Sequence, residues 1–315
     1  MSSPTTPVAL LARAVRDGVV PGGVIAVGHE PVPVAEGAMA LGGPPMPADA
    51  ILRIQSMTKL VTAVAALRLV EQGALSLDEP VATWLPELAA PRVLTAPDAP
   101  LTDTVPAHRP ITLRHLLTCT SGYGMILDDT PLQRAMAADG TEAGPLPPRL
   151  GAADWLAALA ALPLVGQPGE VWRYHHSFSL LGILLGRIAG VATGEHLQRT
   201  LFGPLGMVDT GFFVPAAQRH RLPALYAEEE GELVEVEERG GGPHIGPPGE
   251  DRSHAGLLST APDYLRFLRA LRDGVLLEPE HLAMLHRDQV PAAAKRPEAF
   301  FPGFWEHMGG ASAWG

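Results

Sequence analysis

The strongest constraint on the fold of this chain is a helical segment, residues 57–72, that is apolar on nearly every side. Its apolar positions are Leu60, Val61, Val64, Ala65, Leu67, Leu69 and Val70, and Gly73 marks its C-terminal end. A helix that is apolar all round has to be covered by other elements. The chain has 315 residues and is 46% hydrophobic, which is enough for one large domain or two intermixed ones.

The flanking segments predict a mixed architecture. Helices are expected over residues 7–18, 152–163, 177–189 and 260–274, with a shorter one in "ITLRHLLTCTSGYG", while residues 22–28, 35–41 and 231–238 have the pattern of strands. The order predicts an α/β (α+β) fold, an α/β layer interrupted by an all-helical region. We expect a single domain over residues 1–315, in which 1–53 and 251–315 form the α/β part and 54–250 a mainly helical insertion.

Composition excludes several classes of function. The formal net charge of -11 disfavours binding to nucleic acid or to anionic membrane surfaces. No apolar run reaches the roughly 18 residues of a membrane span, and Arg13, Arg16 and Asp17 interrupt the N-terminal segment where a signal peptide would be continuous. We therefore expect a cytoplasmic protein. The single cysteine, Cys119, excludes an internal disulfide and a cysteine-based zinc cage.

A serine and a lysine stand at the start of the apolar helix, in "RIQSMTKLVT". Residues i and i+3 share a helix face, so Ser56 and Lys59 point the same way, and the free N–H groups of the helix end could stabilise an oxyanion. A lysine amine can activate a serine only if its pKa is lowered, which burial does. On spacing alone, a capping serine beside a surface lysine remains an alternative.

The surrounding sequence resembles a known superfamily. The segments that carry the resemblance are "ILRIQSMTKLVTAVAALRLVEQGALSLDEPVATWLPEL", "ITLRHLLTCTSGYG", "GQPGEVWRYHHSFSLLGILLG", "LFGPLGMVDTGFFVP" and "AGLLSTAPDYLRFLRAL". In this order they resemble the serine β-lactamase and penicillin-binding-protein-like superfamily, in particular the class C β-lactamase-related esterases and D-amino-acid peptidases. The resemblance implies a β-lactamase/transpeptidase-like fold, an antiparallel sheet flanked by helices plus an all-helical subdomain.

The resemblance also implies roles for individual residues. Ser56 matches the acylated nucleophile, Lys59 its activating amine, and Tyr174 in "WRYHHS" the tyrosine of the second motif, a phenol that a cationic lysine would make a usable base. His176 stands where that motif often ends in asparagine. We expect it to bind substrate by donating to a carbonyl, with a charge that varies with pH. The lost asparagine favours an esterase-like member over an efficient β-lactamase.

The histidine pair His175–His176 and the single cysteine Cys119 also lie in or near these motifs. Two adjacent histidines diverge on a helix or strand, so we expect His175 and His176 to hold no metal, and we expect no cofactor. Cys119 stands where the family commonly has histidine, and we interpret it as a small packed residue. The expected partner is a small-molecule ester, amide or lactam substrate, with no nucleic acid and no membrane.

The third motif of the family is the weakest match. It is Lys-Thr-Gly, or a variant such as His-x-Gly or Trp-Gly-Gly, and only His307-Met308-Gly309 fits it, six residues before the end. We therefore expect the C-terminal strands to be missing, and losing one oxyanion donor costs roughly 10²–10³ in rate. The expected function is a serine hydrolase forming an acyl-enzyme on Ser56, impaired by this loss. The alternatives are an acyltransferase of the same family and a catalytically inactive truncated homologue.

Overall fold

A computed structural model describes residues 6–28, 32–144, 150–249 and 252–295. Its α-helices are α1 (Pro7–Arg16), α2 (Thr58–Glu71), α3 (Leu113–Leu117), α4 (Pro131–Asp139), α5 (Ala152–Ala160), α6 (His176–Ala189), α7 (Thr193–Leu197), α8 (Gly203–Leu205), α9 (Ala261–Arg272) and α10 (Pro279–Leu285). Its strands are β1 (Gly22–Ile25), β2 (Val34–Gly37), β3 (Leu52–Arg53), β4 (Arg92–Leu94), β5 (Thr104–Pro106), β6 (Leu225–Glu229), β7 (Glu232–Glu237) and β8 (Leu258–Ser259).

The strands form small antiparallel sheets. The pairs are β1–β2, β3–β8, β4–β5 and β6–β7, each two-stranded among the described residues. In the β3–β8 pair Leu52 lies opposite Ser259 and Arg53 opposite Leu258, which joins segments about 200 residues apart. Helices combined with antiparallel strands confirm the α/β (α+β) class.

The described residues fall into two compact units. The first lies within Met1–Gln55, Gln198–Pro248 and Leu257–Asp273, and the second within Ser56–Leu197, Gly249–Gly256 and Gly274–Gly315. The sequence-based division differs from this, because it placed residues 198–248 in the helical insertion and residues 274–295 in the α/β part. The single-domain organisation itself stays a prediction.

In the first unit, α1 packs against β1 and β2. Ile51, Val214, Leu222 and Leu258 form a buried apolar cluster beside the β3–β8 pair. Arg53 in β3 reaches β7, where its guanidinium lies 2.5 Å from the Glu237 carboxylate. Helix α9 begins as its sequence predicts, because the Thr260 hydroxyl accepts a hydrogen bond from the backbone N–H of Asp263 at 3.2 Å.

In the second unit, α6 is the central helix and packs against α2, α3 and α7. Its side chains Leu180, Leu181, Leu184 and Leu185 have no exposed surface. Nine of the 14 residues of α2 are buried, which confirms the burial expected from its apolar sequence. Packing therefore fixes the position of α2. It also fixes the candidate catalytic residues at the start of this helix, Lys59 within it and Ser56 immediately before it.

Over residues 6–28, 32–144, 150–249 and 252–295, no single helix combines the length and apolar character of a membrane span. One bent pair, His176–Ala189 followed by Thr193–Leu205, reaches both criteria jointly.

Candidate active site

Ser56 lies in a short 3-10 turn, Gln55–Met57, immediately before α2. Its side chain is exposed, and the residue before it, Gln55, has a left-handed φ of 47°. The N-cap of α2 is Met57, and no side chain caps this helix end. The interpretation of Ser56 as a capping residue is therefore wrong, and its hydroxyl is available to other partners.

Three side chains meet at the Ser56 hydroxyl. The Lys59 ammonium nitrogen lies 3.1 Å from Ser56 Oγ and 2.9 Å from the Tyr174 hydroxyl oxygen. Ser56 Oγ and the Tyr174 hydroxyl are also directly hydrogen-bonded. The structure thus brings together Ser56, Lys59 and Tyr174, the catalytic residues predicted from the sequence. Each pair among the three is hydrogen-bonded.

Burial sets the protonation of Lys59. The side chain sits between α2 and the Tyr174 ring, whose centroid is 4.2 Å from the amine nitrogen. Loss of solvent disfavours the charged ammonium and lowers the pKa of Lys59 from its usual value to about 8. A substantial fraction of the amine is therefore neutral near physiological pH, which is the form that can accept a proton.

Tyr174 differs from the sequence-based expectation. A cationic lysine was expected to make its phenol acidic, but burial raises the pKa of Tyr174, and the hydrogen bond between Tyr174 and Ser56 opposes that only in part. The phenol therefore keeps its proton at neutral pH. Lys59 is the better proton acceptor of the pair, and Tyr174 is suited to relay a proton between Ser56 and Lys59.

The segment that carries Tyr174 is held against the "TCTSGYG" segment. The backbone N–H of Arg173 donates to the Cys119 carbonyl at 2.8 Å, and that of Met125 donates to the Tyr174 carbonyl at 2.9 Å. A β-carbon at Gly124 would lie 2.1 Å from Cβ of Arg173, closer than any real contact. Glycine is thus required at position 124 to let the two segments approach and to place Tyr174 beside Lys59.

Cys119 lies beneath this segment. Its side chain is buried, as expected for a packed residue, and its backbone has a left-handed φ of 55°. Burial raises the pKa of the Cys119 thiol to about 12, so the thiol is neutral and unsuited to nucleophilic attack. It serves instead as a hydrogen-bond acceptor for the backbone N–H of His175.

The structure does not bring His176, the predicted substrate-binding residue, to the Ser56 hydroxyl. Its side chain has no exposed surface, its Nε2 lies 2.7 Å from the Thr141 carbonyl oxygen, and its ring stacks on Trp155. Burial lowers the pKa of His176 to about 4, so its ring is neutral at physiological pH. In this position His176 is a packed residue of the helix start, with no surface for a substrate.

Two residues that sequence reasoning did not assign to the site are His175 and His254. The backbone carbonyl oxygen of His254 accepts a hydrogen bond from the Lys59 amine at 2.7 Å. The side-chain ring of His254 lies against that of His175, with 3.8 Å between the ring centroids. Lys59 and His254 are 195 positions apart. No spacing rule connects residues at that separation, although the HH dipeptide did draw attention to His175 as a metal ligand.

Metal binding by histidine would require further ligands close by. Within the ranges that the structure describes, no group of three or more His, Cys, Asp or Glu side chains has the geometry to hold a metal ion. The candidate third motif, His307-Met308-Gly309, lies outside the described residues.

A serine joined to a lysine one helical turn away and to a tyrosine defines a class of acyl-transfer enzymes that work through a serine nucleophile. The sequence profile described as Beta-lactamase matches residues 8–314, and the chain belongs to this family. The fold is accordingly of the β-lactamase/transpeptidase-like type, and members of the family include serine hydrolases and acyltransferases.

Individual members of the family show which proteins this chain is similar to. Protein Rv1367c from Mycobacterium tuberculosis is 39% identical over 275 residues, which cover 85% of this chain and 66% of that protein. Lovastatin esterase from Penicillium rubens is 34% identical over 263 residues, covering 80% of this chain and 64% of the esterase. The chain thus spans slightly less than two thirds of the length of these relatives. Among solved structures, EstCE1, a hydrolase with promiscuous acyltransferase activity, superimposes with a TM-score of 0.74 at 25% identity, covering 91% of this chain and 77% of EstCE1.

Proposed function

We propose that this protein is a serine hydrolase that forms an acyl-enzyme on Ser56 with a small ester, amide or lactam. The observation that carries the proposal is the triangle of Ser56 Oγ, the Lys59 amine and the Tyr174 hydroxyl, with Lys59 at 3.1 Å from the serine. Structural packing alone would not require a buried amine, with a pKa lowered to about 8, beside an exposed serine.

Acylation begins when Ser56 Oγ attacks the substrate carbonyl carbon. The serine proton passes to neutral Lys59, either directly or through Tyr174, whose hydroxyl accepts it while donating its own proton to the amine. The tetrahedral adduct then expels the alcohol or amine leaving group, which takes a proton back from Lys59. Lys59 is neutral again when the acyl-enzyme has formed.

Deacylation uses the same groups in the reverse sense. A water molecule attacks the Ser56 ester, Tyr174 accepts its proton and passes its own to Lys59, and the Ser56 oxygen recovers a proton as the acid leaves. The family resemblance implied that the Tyr174 phenol is itself a usable base. The raised pKa of its phenol favours a relay to Lys59 instead.

The direct test is covalent labelling. The purified protein is incubated with a fluorophosphonate probe, and the adduct is located by peptide mass spectrometry; p-nitrophenyl acetate and nitrocefin separate ester from lactam turnover. We expect one adduct, on Ser56, and turnover of the ester. Absence of both adduct and turnover would instead identify a catalytically inactive homologue.

The pH dependence of ester hydrolysis is a second test. Because only neutral Lys59 accepts the serine proton, kcat/KM for p-nitrophenyl acetate should fall as pH drops below about 8, where the amine becomes charged. A single group with this pKa predicts roughly a tenfold loss per pH unit below the inflection and a plateau above it. Rates are corrected with the Ser56→Ala variant, and a flat profile between pH 6 and 9 would contradict Lys59 as the base.

Acyl transfer is the second candidate, and the specific observation in its favour is the likeness to EstCE1, a hydrolase with promiscuous acyltransferase activity. The same acyl-enzyme can be intercepted by an alcohol or amine in place of water. Product analysis with p-nitrophenyl acetate and added 1-butanol separates the two: butyl acetate exceeding free acetate would indicate a transferase, and acetate alone a hydrolase.

A further inference from the structure

A buried turn lies behind Lys59. It runs from Arg252 to Ala255 and is closed by the hydrogen bond from the Ala255 N–H to the Arg252 carbonyl at 3.0 Å. Two consecutive carbonyls of this turn face α2: that of Ser253 accepts from the Thr62 hydroxyl at 2.8 Å and that of His254 from the Lys59 amine at 2.7 Å. The turn therefore sets where the Lys59 amine rests.

The His254 side chain ties this turn to another element. Its Nδ1 lies 2.8 Å from the Ser179 hydroxyl, on the buried face of α6. His254 is 4% exposed, and its Nε2 has no hydrogen-bond partner among the residues that the structure describes. Since the same residue supplies the carbonyl that holds Lys59, the position of that carbonyl depends on the anchored ring.

The second ring of the pair belongs to the residue next to Tyr174. The His175 ring centroid lies 3.8 Å from that of His254, with the planes tilted by 44°. His175 has φ 93° and ψ −76°, a conformation that non-glycine residues rarely adopt. Its backbone N–H donates to the Cys119 thiol. One ring thus adjoins the tyrosine and the other the lysine of the Ser56 triangle.

Both rings are surrounded by groups that oppose a positive charge. Burial lowers the pKa of His175 and His254 well below the usual value, and nearby cations add to the effect. Among the described residues, the titratable and charged groups near the pair are His176, Lys59, Arg252, the Cys119 thiol and Tyr174, whose ring is steeply inclined, at 73°, to that of His175. The two rings are therefore neutral at physiological pH and add no charge beside Lys59.

We propose that His175 and His254 are positioning residues of the Ser56 site: their rings, in contact at 3.8 Å between centroids, hold the Tyr174 hydroxyl and the His254 carbonyl at a fixed separation, and Lys59 between them. Neither ring transfers a proton in the proposed mechanism, and each acts through the catalytic residue that it adjoins. The expected effect of the two histidines on the reaction rate rests on the proposed acyl-enzyme chemistry. Their expected effect on the pKa of Lys59 can be measured without turnover. Misplacing a catalytic group by about 1 Å can cost about 10²-fold in rate.

The kinetic test replaces the ring. His254→Ala should reduce kcat for p-nitrophenyl acetate by roughly 10- to 100-fold with KM little changed, and should raise the pH of the inflection because water reaches Lys59. His254→Asn retains an amide able to bond Ser179 and should recover part of the rate. A change in kcat and inflection without a change in KM is a readout that general loss of packing does not produce.

A matched pair of serines supplies the milder test and the control. Ser177 and Ser179 are both buried on α6, but Ser177 bonds to the Ser121 hydroxyl at 2.8 Å and Ser179 to His254. Ser179→Ala should move the inflection in the same direction as His254→Ala, by less, and Ser177→Ala should leave it in place. Equal effects of the two serine variants would overturn the proposal.

The amine itself can be followed without any turnover, because the chain contains two lysines, Lys59 and Lys295. The pH dependence of acetylation by a trace of acetic anhydride is measured by peptide mass spectrometry, with Lys295 as the internal reference. We expect a midpoint near 8 for Lys59 in the unaltered protein, and a midpoint closer to the ordinary lysine value of about 10.4 in His254→Ala.

These readouts separate the two proposals. If the unaltered protein shows no Ser56 adduct but His254→Ala still moves the Lys59 midpoint, the proposed function fails and the positioning role stands. If the unaltered protein is active and His254→Ala changes neither the midpoint nor kcat, the positioning role is overturned and the proposed function stands.

Discussion

Replacing Ser56 with alanine is expected to abolish fluorophosphonate labelling and to reduce ester turnover by roughly 10⁴- to 10⁶-fold, the range typical for loss of a serine nucleophile. The residual rate would come from binding alone, because Lys59 and Tyr174 have no oxygen to activate once Oγ is removed. The fold should be unaffected, since Ser56 is exposed and caps no helix. Labelling followed by intact mass, together with steady-state rates, provides the measurement.

Ser76→Ala is the matched control for this variant. Ser76 is also an exposed serine, in the turn that follows α2, and its side chain has no part in the triangle. It should keep full labelling and turnover. Retention of more than a tenth of the activity by Ser56→Ala would place the nucleophile elsewhere.

Replacing Lys59 with methionine is expected to reduce kcat/KM for the ester by about 10²- to 10⁴-fold, the usual contribution of a general base. Methionine fills a similar volume but has no amine to accept the Ser56 proton. The His254 carbonyl also loses the hydrogen bond that Lys59 donates. Unlike the parent, this variant should also lose the inflection near pH 8, which makes the pH profile the decisive measurement.

Two further substitutions define what Lys59 contributes. Lys59→Arg keeps a cation but cannot act as a base, because a guanidinium does not lose its proton in this pH range. It should be as impaired as Lys59→Met, and an arginine variant close to full activity would mean that the role of Lys59 is electrostatic. Lys295→Met removes the other lysine, which pairs with Asp288, and should leave the rate unchanged.

The parts of the fold that the sequence predicted are those with long apolar periodicity and recognisable ends. Helices α2, α6 and α9 lie within one or two residues of the predicted segments, because each has an apolar face and a capping residue or terminal glycine. No helix or strand was predicted over residues 81–110, where the structure has β4 and β5. Strands of three residues show no alternation, and prolines in this region argued against any element.

The candidate site likewise has features that could be predicted from the sequence and features that could not. The Ser56–Lys59 contact could be predicted because residues three apart share a helix face. Tyr174, 115 positions from Lys59, was found through the family resemblance and not through any spacing. The direction of its pKa shift and the burial of His176 depend on how α6 packs, which local sequence does not encode.

Three non-glycine residues around the site have left-handed backbone conformations: Gln55 immediately before Ser56, Cys119 beneath the Tyr174 segment, and His175 immediately after Tyr174. Such conformations cost of order 1–3 kcal/mol each and persist only where neighbouring structure enforces them. Glycine at any of these positions would relax the main chain. At position 175 it would also remove the ring that contacts His254, so selection for thermostability and selection for catalysis would favour different residues there.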